Sequence, residues 1–138
     1  MKKLLFLLLT LSACKSKPAS NIKITIDHTH QAIKITGVAA TALYGIQHDS
    51  LDTAGWHALF PVYKMPADTE MRNYQPYIKG KYDINGGVVS FTPDTAFKTG
   101  QTYFARWYRY DEPLSATDMA MRTRKPGETP FIELIFKY

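Results

Sequence analysis

The stretch from Val88 to Tyr108, V-V-S-F-T-P-D-T-A-F-K-T-G-Q-T-Y-F-A-R-W-Y, constrains this chain more than any other. Val89 and Phe91 alternate with polar neighbours and predict one strand, while Tyr103, Ala105 and Trp107 predict a second. Between them, Pro93 cannot continue a ladder, and Gly100 can take positive φ without a Cβ clash. Tyr103 follows that turn at the head of the second strand. There a two-sheet sandwich places a tyrosine whose hydroxyl bonds upstream backbone and fixes the crossing between sheets.

The rest of the chain supplies further short strands. Ile22, Ile24 and Ile26 alternate with Lys23 and Thr25, and Ile33 and Ile35 flank Lys34. With the polar turn Asp27–Gln31 between them, these two strands predict a hairpin that ends at Gly37. Ala39–Ile46 reads as a short helix or a loop crossing the top of the body, and Asp49–Gly55 as a loop. Trp56–Met65 is apolar on both faces, which predicts a central strand broken or bulged at Pro61. Pro66–Pro76 is a polar excursion that closes on Tyr74, Pro76 and Tyr77. Ile78, Gly80, Tyr82 and Ile84 share one strand face, and Asn85-Gly86-Gly87 predicts a tight turn into Val88. Asp111–Pro130 reads as a long loop holding a short strand near Met119–Thr123. Ile132, Leu134, Phe136 and Tyr138 form a closing strand. Many short strands without a long amphipathic helix predict an all-β, two-sheet antiparallel sandwich over residues 22–138. A small β-barrel is the alternative.

Residues 1–13 lie outside that body. Lys2 and Lys3 are a positive start, and Leu4–Leu9 is an apolar core too short to span a bilayer. The segment ends Leu11-Ser12-Ala13-Cys14, which resembles the lipobox of bacterial lipoproteins. The resemblance implies a cleaved signal peptide, lipidation of Cys14 and a membrane anchor through that lipid. The alternative is an ordinary secretion signal with an incidental cysteine. Cys14 is the only cysteine, so no disulfide can form within the chain, and lipidation explains an odd cysteine in an exported protein. Lys15 follows it where an Asp would suggest inner-membrane retention. The expected address is therefore the cell envelope, at the outer membrane of a diderm bacterium. Residues 14–21 would form the lipidated tether.

Removing residues 1–13 of the 138 leaves one ordinary domain, and its formal charge falls from +5 to +3 with the loss of Lys2 and Lys3. A modest positive charge at such an address argues against a nucleic-acid partner.

Three runs carry a second resemblance. They are Trp56 with Leu59-Phe60-Pro61-Val62-Tyr63, then Gly80 through Pro93, then Phe97-Lys-Thr-Gly100-Gln-Thr-Tyr103. Together they resemble uncharacterised secreted bacterial proteins with immunoglobulin-like or fibronectin-type-III-like modules. The resemblance implies an immunoglobulin-like sandwich. It implies no activity, catalytic residue or cofactor, and fold analogy is a weak warrant for function.

The residues themselves offer three chemistries. His28 and His30 share one side of an extended stretch and would ligate zinc or copper if His48, Asp49 or His57 joined them; Met119 and Met121 repeat the spacing. The alternative is a solvated turn. The carboxylates Asp49, Asp52, Asp68, Glu70, Asp111, Glu112 and Asp118 would serve a hydrolase only if two faced each other across a cleft. They fall instead in predicted loops and strand ends, where acids bond turns. No G-x-S-x-G, H-E-x-x-H or phosphate-cradling glycine loop is present. The third is an aromatic and basic row. With Tyr103, Ala105 and Trp107 inward, Phe104, Arg106, Tyr108 and Tyr110 point outward and read as a surface for an envelope protein or a glycan. A cover from Asp111–Pro130 or from cross-strand neighbours is the competing expectation. The leading functional expectation is a non-enzymatic binding or accessory module of the envelope.

Overall fold

The computed structural model describes residues 21–110, 127 and 129–138. The signal peptide, Cys14, the segment around Met119–Thr123 and the carboxylates Asp111, Glu112 and Asp118 lie outside the described residues.

Seven strands form two antiparallel sheets. The strands are β1 (Lys23–Asp27), β2 (Ala32–Thr36), β3 (Val62–Lys64), β4 (Gly80–Asn85), β5 (Val88–Pro93), β6 (Thr102–Tyr108) and β7 (Phe131–Lys137). One sheet runs β1-β2-β5-β4 and the other β3-β6-β7. Among the described residues the two sheets share no ladder, so the body is a pair of packed layers rather than one closed barrel.

The period-2 segments fold as their patterns require. In β4, Gly80, Tyr82 and Ile84 are half-buried, while Lys81, Asp83 and Asn85 are exposed. Asn85 pairs with Val88, so Gly86 and Gly87 form a two-residue hairpin with φ of 56° and 80°. Both central residues need positive φ in such a turn, which glycine adopts without a Cβ penalty. Ile24 pairs with Ile35 and Ile26 with Ile33 in the β1–β2 hairpin.

The inner faces meet in one core. Ile33, Ile35, Val89 and Phe91 come from the first sheet, and Val62, Ala105, Trp107 and Phe136 from the second. Phe60 joins the layers, with its ring edge-on to Phe91 and Trp107. Each fully buried aliphatic or phenyl side chain contributes about 1.5–3 kcal/mol of transfer free energy. Tyr103 behaves as its position predicts. It is buried, and its hydroxyl oxygen accepts the Lys98 backbone N–H at 2.9 Å. Gly100 takes φ 80° in the turn that makes this possible.

The connection between β2 and β3 departs from expectation. Ala40–Asp49 is helix α1, and Thr53–Leu59 is helix α2, so the predicted strand Trp56–Met65 reduces to the three residues of β3. The expected loop Asp49–Gly55 shrinks in the same way. The reason is local. The Asp52 carboxylate accepts the Gly55 N–H at 2.7 Å and caps α2, and Trp56 and Leu59 are three apart on the face packed against the core. Pro61 then stops the helix, and β3 begins. Within the polar excursion, Thr69–Tyr74 forms a 3₁₀ turn started by Asp68, whose carboxylate accepts the Glu70 N–H. Among the described residues no helix is long and apolar enough to cross a membrane.

Candidate functional site: the outer face of the three-stranded sheet

Strand alternation sends Phe104, Arg106 and Tyr108 of β6 to the outer face of the β3-β6-β7 sheet, as expected. Register then decides their neighbours. Phe104 pairs with Tyr63 on one side and Ile135 on the other, Arg106 pairs with Glu133, and Tyr108 with Phe131. Tyr77 extends this face through an isolated bridge to Tyr63.

The expected exposed row is corrected at its centre: Phe104 and Arg106 are both buried. Their cover comes from cross-strand neighbours and from the 3₁₀ turn. The Tyr63 ring stacks on Phe104 at 4.9 Å, and the Arg72 guanidinium lies over the same ring at 4.6 Å. Arg106 Nε donates to Glu133 Oε2 at 2.8 Å, and Arg72 pairs with the other carboxylate oxygen. One carboxylate thus holds two cations. Burial alone would lower the Arg106 pKa, but the hydrogen bond and charge of Glu133, with help from Tyr108, hold it above its ordinary value. Burial, with the nearby Tyr108 hydroxyl, pushes the Tyr63 phenol up to about 12, so it stays neutral across the physiological range.

The periphery of the face remains open. Tyr77 is 51% exposed, Phe131 45%, Ile135 51% and Tyr110 62%. Successive ring and cation–π contacts run from Tyr77 through Tyr63, Phe104, Arg106, Phe131 and Tyr108 to Tyr110. The Tyr110 hydroxyl also donates to the Ala58 carbonyl at 2.9 Å, which ties the end of the row to α2. Tyr108 is half-buried, and Tyr110 is as exposed as expected. Reading β6 alone missed Phe131 and Ile135. The outward set of β7, Phe131-x-Glu133-x-Ile135-x-Lys137, carried the signal, because half of a solvated face should not be large and apolar.

The histidines are not assembled. His30 Nδ1 lies 2.9 Å from Asp27 Oδ2, while the His28 ring packs on Tyr138 at 5.4 Å. His48 stacks on Tyr44, and His57 on Tyr77 at 4.1 Å. Among the described residues, no three His, Cys, Asp or Glu side chains are placed to hold a metal ion. Asp52 and Asp68 are spent on capping α2 and the 3₁₀ turn. The Tyr74-Pro76-Tyr77 cluster divides: Tyr77 is pinned against Tyr63 and His57, and Tyr74 stays exposed.

Comparison with family models, with curated proteins and with solved structures finds no match to this chain.

Proposed function

We propose that this chain is a lipid-anchored, non-enzymatic binding module of the cell envelope that docks another envelope protein through the outer face of its three-stranded sheet. One observation carries the reading. Tyr77, Phe131, Ile135 and Tyr110 are large, exposed and apolar, and they surround a centre whose charges are turned on one another. Such a face offers anchors without mobile charges to desolvate, which suits the aromatic and aliphatic hot spots of a protein interface. A glycan needs hydroxyl partners, and Arg72, Arg106 and Glu133 are already committed to each other. Their packing also fixes the anchors before binding, which lowers the entropy cost of association.

An immunoglobulin-like assignment is supported by connectivity. Numbered along the chain, β1-β2-β5-β4 and β3-β6-β7 correspond to the A-B-E-D and C-F-G sheets of that fold. The Tyr103 hydroxyl bonded upstream to Lys98 is the second support. The lipid anchor rests on Leu11-Ser12-Ala13-Cys14 after a basic and apolar leader.

The test is site-specific photocrosslinking in cells. A photoreactive residue at Ile135 should capture one envelope protein, and Phe131→Ser should abolish that product. The same group at Lys81, on the outer face of the other sheet, should capture none. Equal capture at both positions, or a crosslink to carbohydrate alone, would overturn the assignment. Cys14→Ser should abolish acyl labelling and detergent-phase partitioning.

A further inference from the structure

A concavity lies away from the sheet face, between the end of α1 and β4. Its volume is about 310 Å³, at the small end of ligand sites, which span about 300–1,000 Å³. Its lining divides by chemistry. Trp56 and Tyr82 contribute aromatic rings beside three aliphatic side chains, while Gln47, Ser50 and Asp83 contribute polar groups. The two rings stack at 4.8 Å with an interplanar angle of 1°. The Tyr82 hydroxyl is already used, donating to the Phe60 carbonyl at 2.9 Å, and the stack covers one face of each ring, so the pair brings its remaining ring surface rather than a free hydroxyl. Burial pushes that phenol pKa up, so it remains uncharged.

We propose that this cleft binds a single pyranose ring of a glycan. A pyranose is itself divided, with C–H groups that pack on aromatic carbon and a rim of hydroxyls that need hydrogen-bond partners. The Asp83 carboxylate, the Gln47 amide and the Ser50 hydroxyl supply both acceptors and donors. Other ligand classes fit less well. An apolar ligand would strip water from Asp83 without replacing its hydrogen bonds. An anion would meet that carboxylate with no lysine or arginine in the lining to offset it.

Two further features lie at the rim of the cleft. Ser50 takes φ 46° and ψ 64°, a left-handed conformation that a residue with a Cβ adopts at a cost. β4 is the edge of its sheet, so no neighbouring strand occupies its outer backbone groups among the described residues. The inference is independent of the docking face, since none of the residues that line this cleft lies on it.

The two tryptophans make the test direct, because Trp56 lines the cleft and Trp107 is buried in the core. The protein is titrated, with NMR observation of both indole N–H signals, against methyl pyranosides of glucose, galactose, mannose and N-acetylglucosamine. Acyclic sorbitol is the control. At least one pyranoside should shift the Trp56 signal saturably at millimolar concentration and leave Trp107 in place. Asp83→Ala, an exposed site that leaves the Trp56 signal in place, should weaken that binding at least about tenfold. Ile135→Ser should leave it intact, which separates this site from the docking face. If no pyranoside gives a saturable shift, if sorbitol matches the sugars, or if Asp83→Ala binds as tightly as the wild type, the proposal is overturned.

Discussion

Glu133 stands directly opposite Arg106 in the β6–β7 ladder, and its second carboxylate oxygen is held by Arg72 from the 3₁₀ turn. This one side chain fastens the closing strand to the 3₁₀ turn. Both guanidiniums it holds also lie close to the Phe104 ring, at 4.6 and 5.1 Å. The centre of the face is therefore fixed, and the exposed aromatics around it are held by a rigid frame.

The triad should be costly to break and cheap to replace. Glu133→Ala leaves two mostly buried guanidiniums facing each other, and should lower unfolding free energy by about 3 kcal/mol. Partial exposure of the Arg72 side chain keeps the loss at that low end. Replacing all three by Leu, Met and Leu at 72, 106 and 133 should cost less than the single change, because no charge is left without a partner. Urea denaturation of both variants checks the order.

Tyr103→Phe isolates the corner hydrogen bond. The phenol is buried, and the Lys98 N–H would lose its acceptor. The expected loss is about 1–2 kcal/mol. Tyr110→Phe removes a hydrogen bond of the same length to Ala58, but from an exposed ring, and should cost less than about 0.5 kcal/mol. Equal losses would show that the corner has no special role.

These contrasts also explain what was legible in the sequence. The hairpins β1–β2 and β4–β5, and the strands β6 and β7, each turn one apolar face to the core, so Ile24, Tyr82, Tyr103 and Phe136 stand out by alternation alone. Trp56–Met65 misled because it is apolar throughout, and a short buried helix and a buried strand share that signature. The Asp52 cap was the deciding local feature. For the site, alternation assigned Phe104 and Arg106 to the correct face. It could not reveal what covers them, since Arg72 and Glu133 arrive from segments remote in sequence.

Asp27 should give the first turn a measurable acid sensitivity. Its carboxylate accepts Lys34 Nζ at 2.6 Å and also faces His30, and these bonds hold its pKa well below the ordinary 3.8. A lowered folded-state pKa contributes stability that is complete above 3.8 and is lost as pH falls through the folded value. Wild type should therefore exceed Asp27→Asn in thermal midpoint at pH 7, and the gap should narrow steadily below pH 4. A gap that widens below pH 4 would contradict the assignment.

Ser50→Gly is expected to stabilise the protein. Ser50 ends α1 in the left-handed region, where the clash of Cβ with the backbone costs about 1 kcal/mol. Glycine removes that clash but frees the unfolded chain, which returns part of the gain. The net increase should be about 0.5 kcal/mol, read as a higher urea midpoint with an unchanged slope. Gln31, with φ 50° in the β1–β2 turn, should respond in the same direction when changed to glycine. Ser50→Ala keeps the Cβ and loses only the hydroxyl, so it should not share the gain. Should Ser50→Ala stabilise as much as Ser50→Gly, relief of backbone strain would not be the cause, and Ser50 would lose its standing as a strained residue of the cleft.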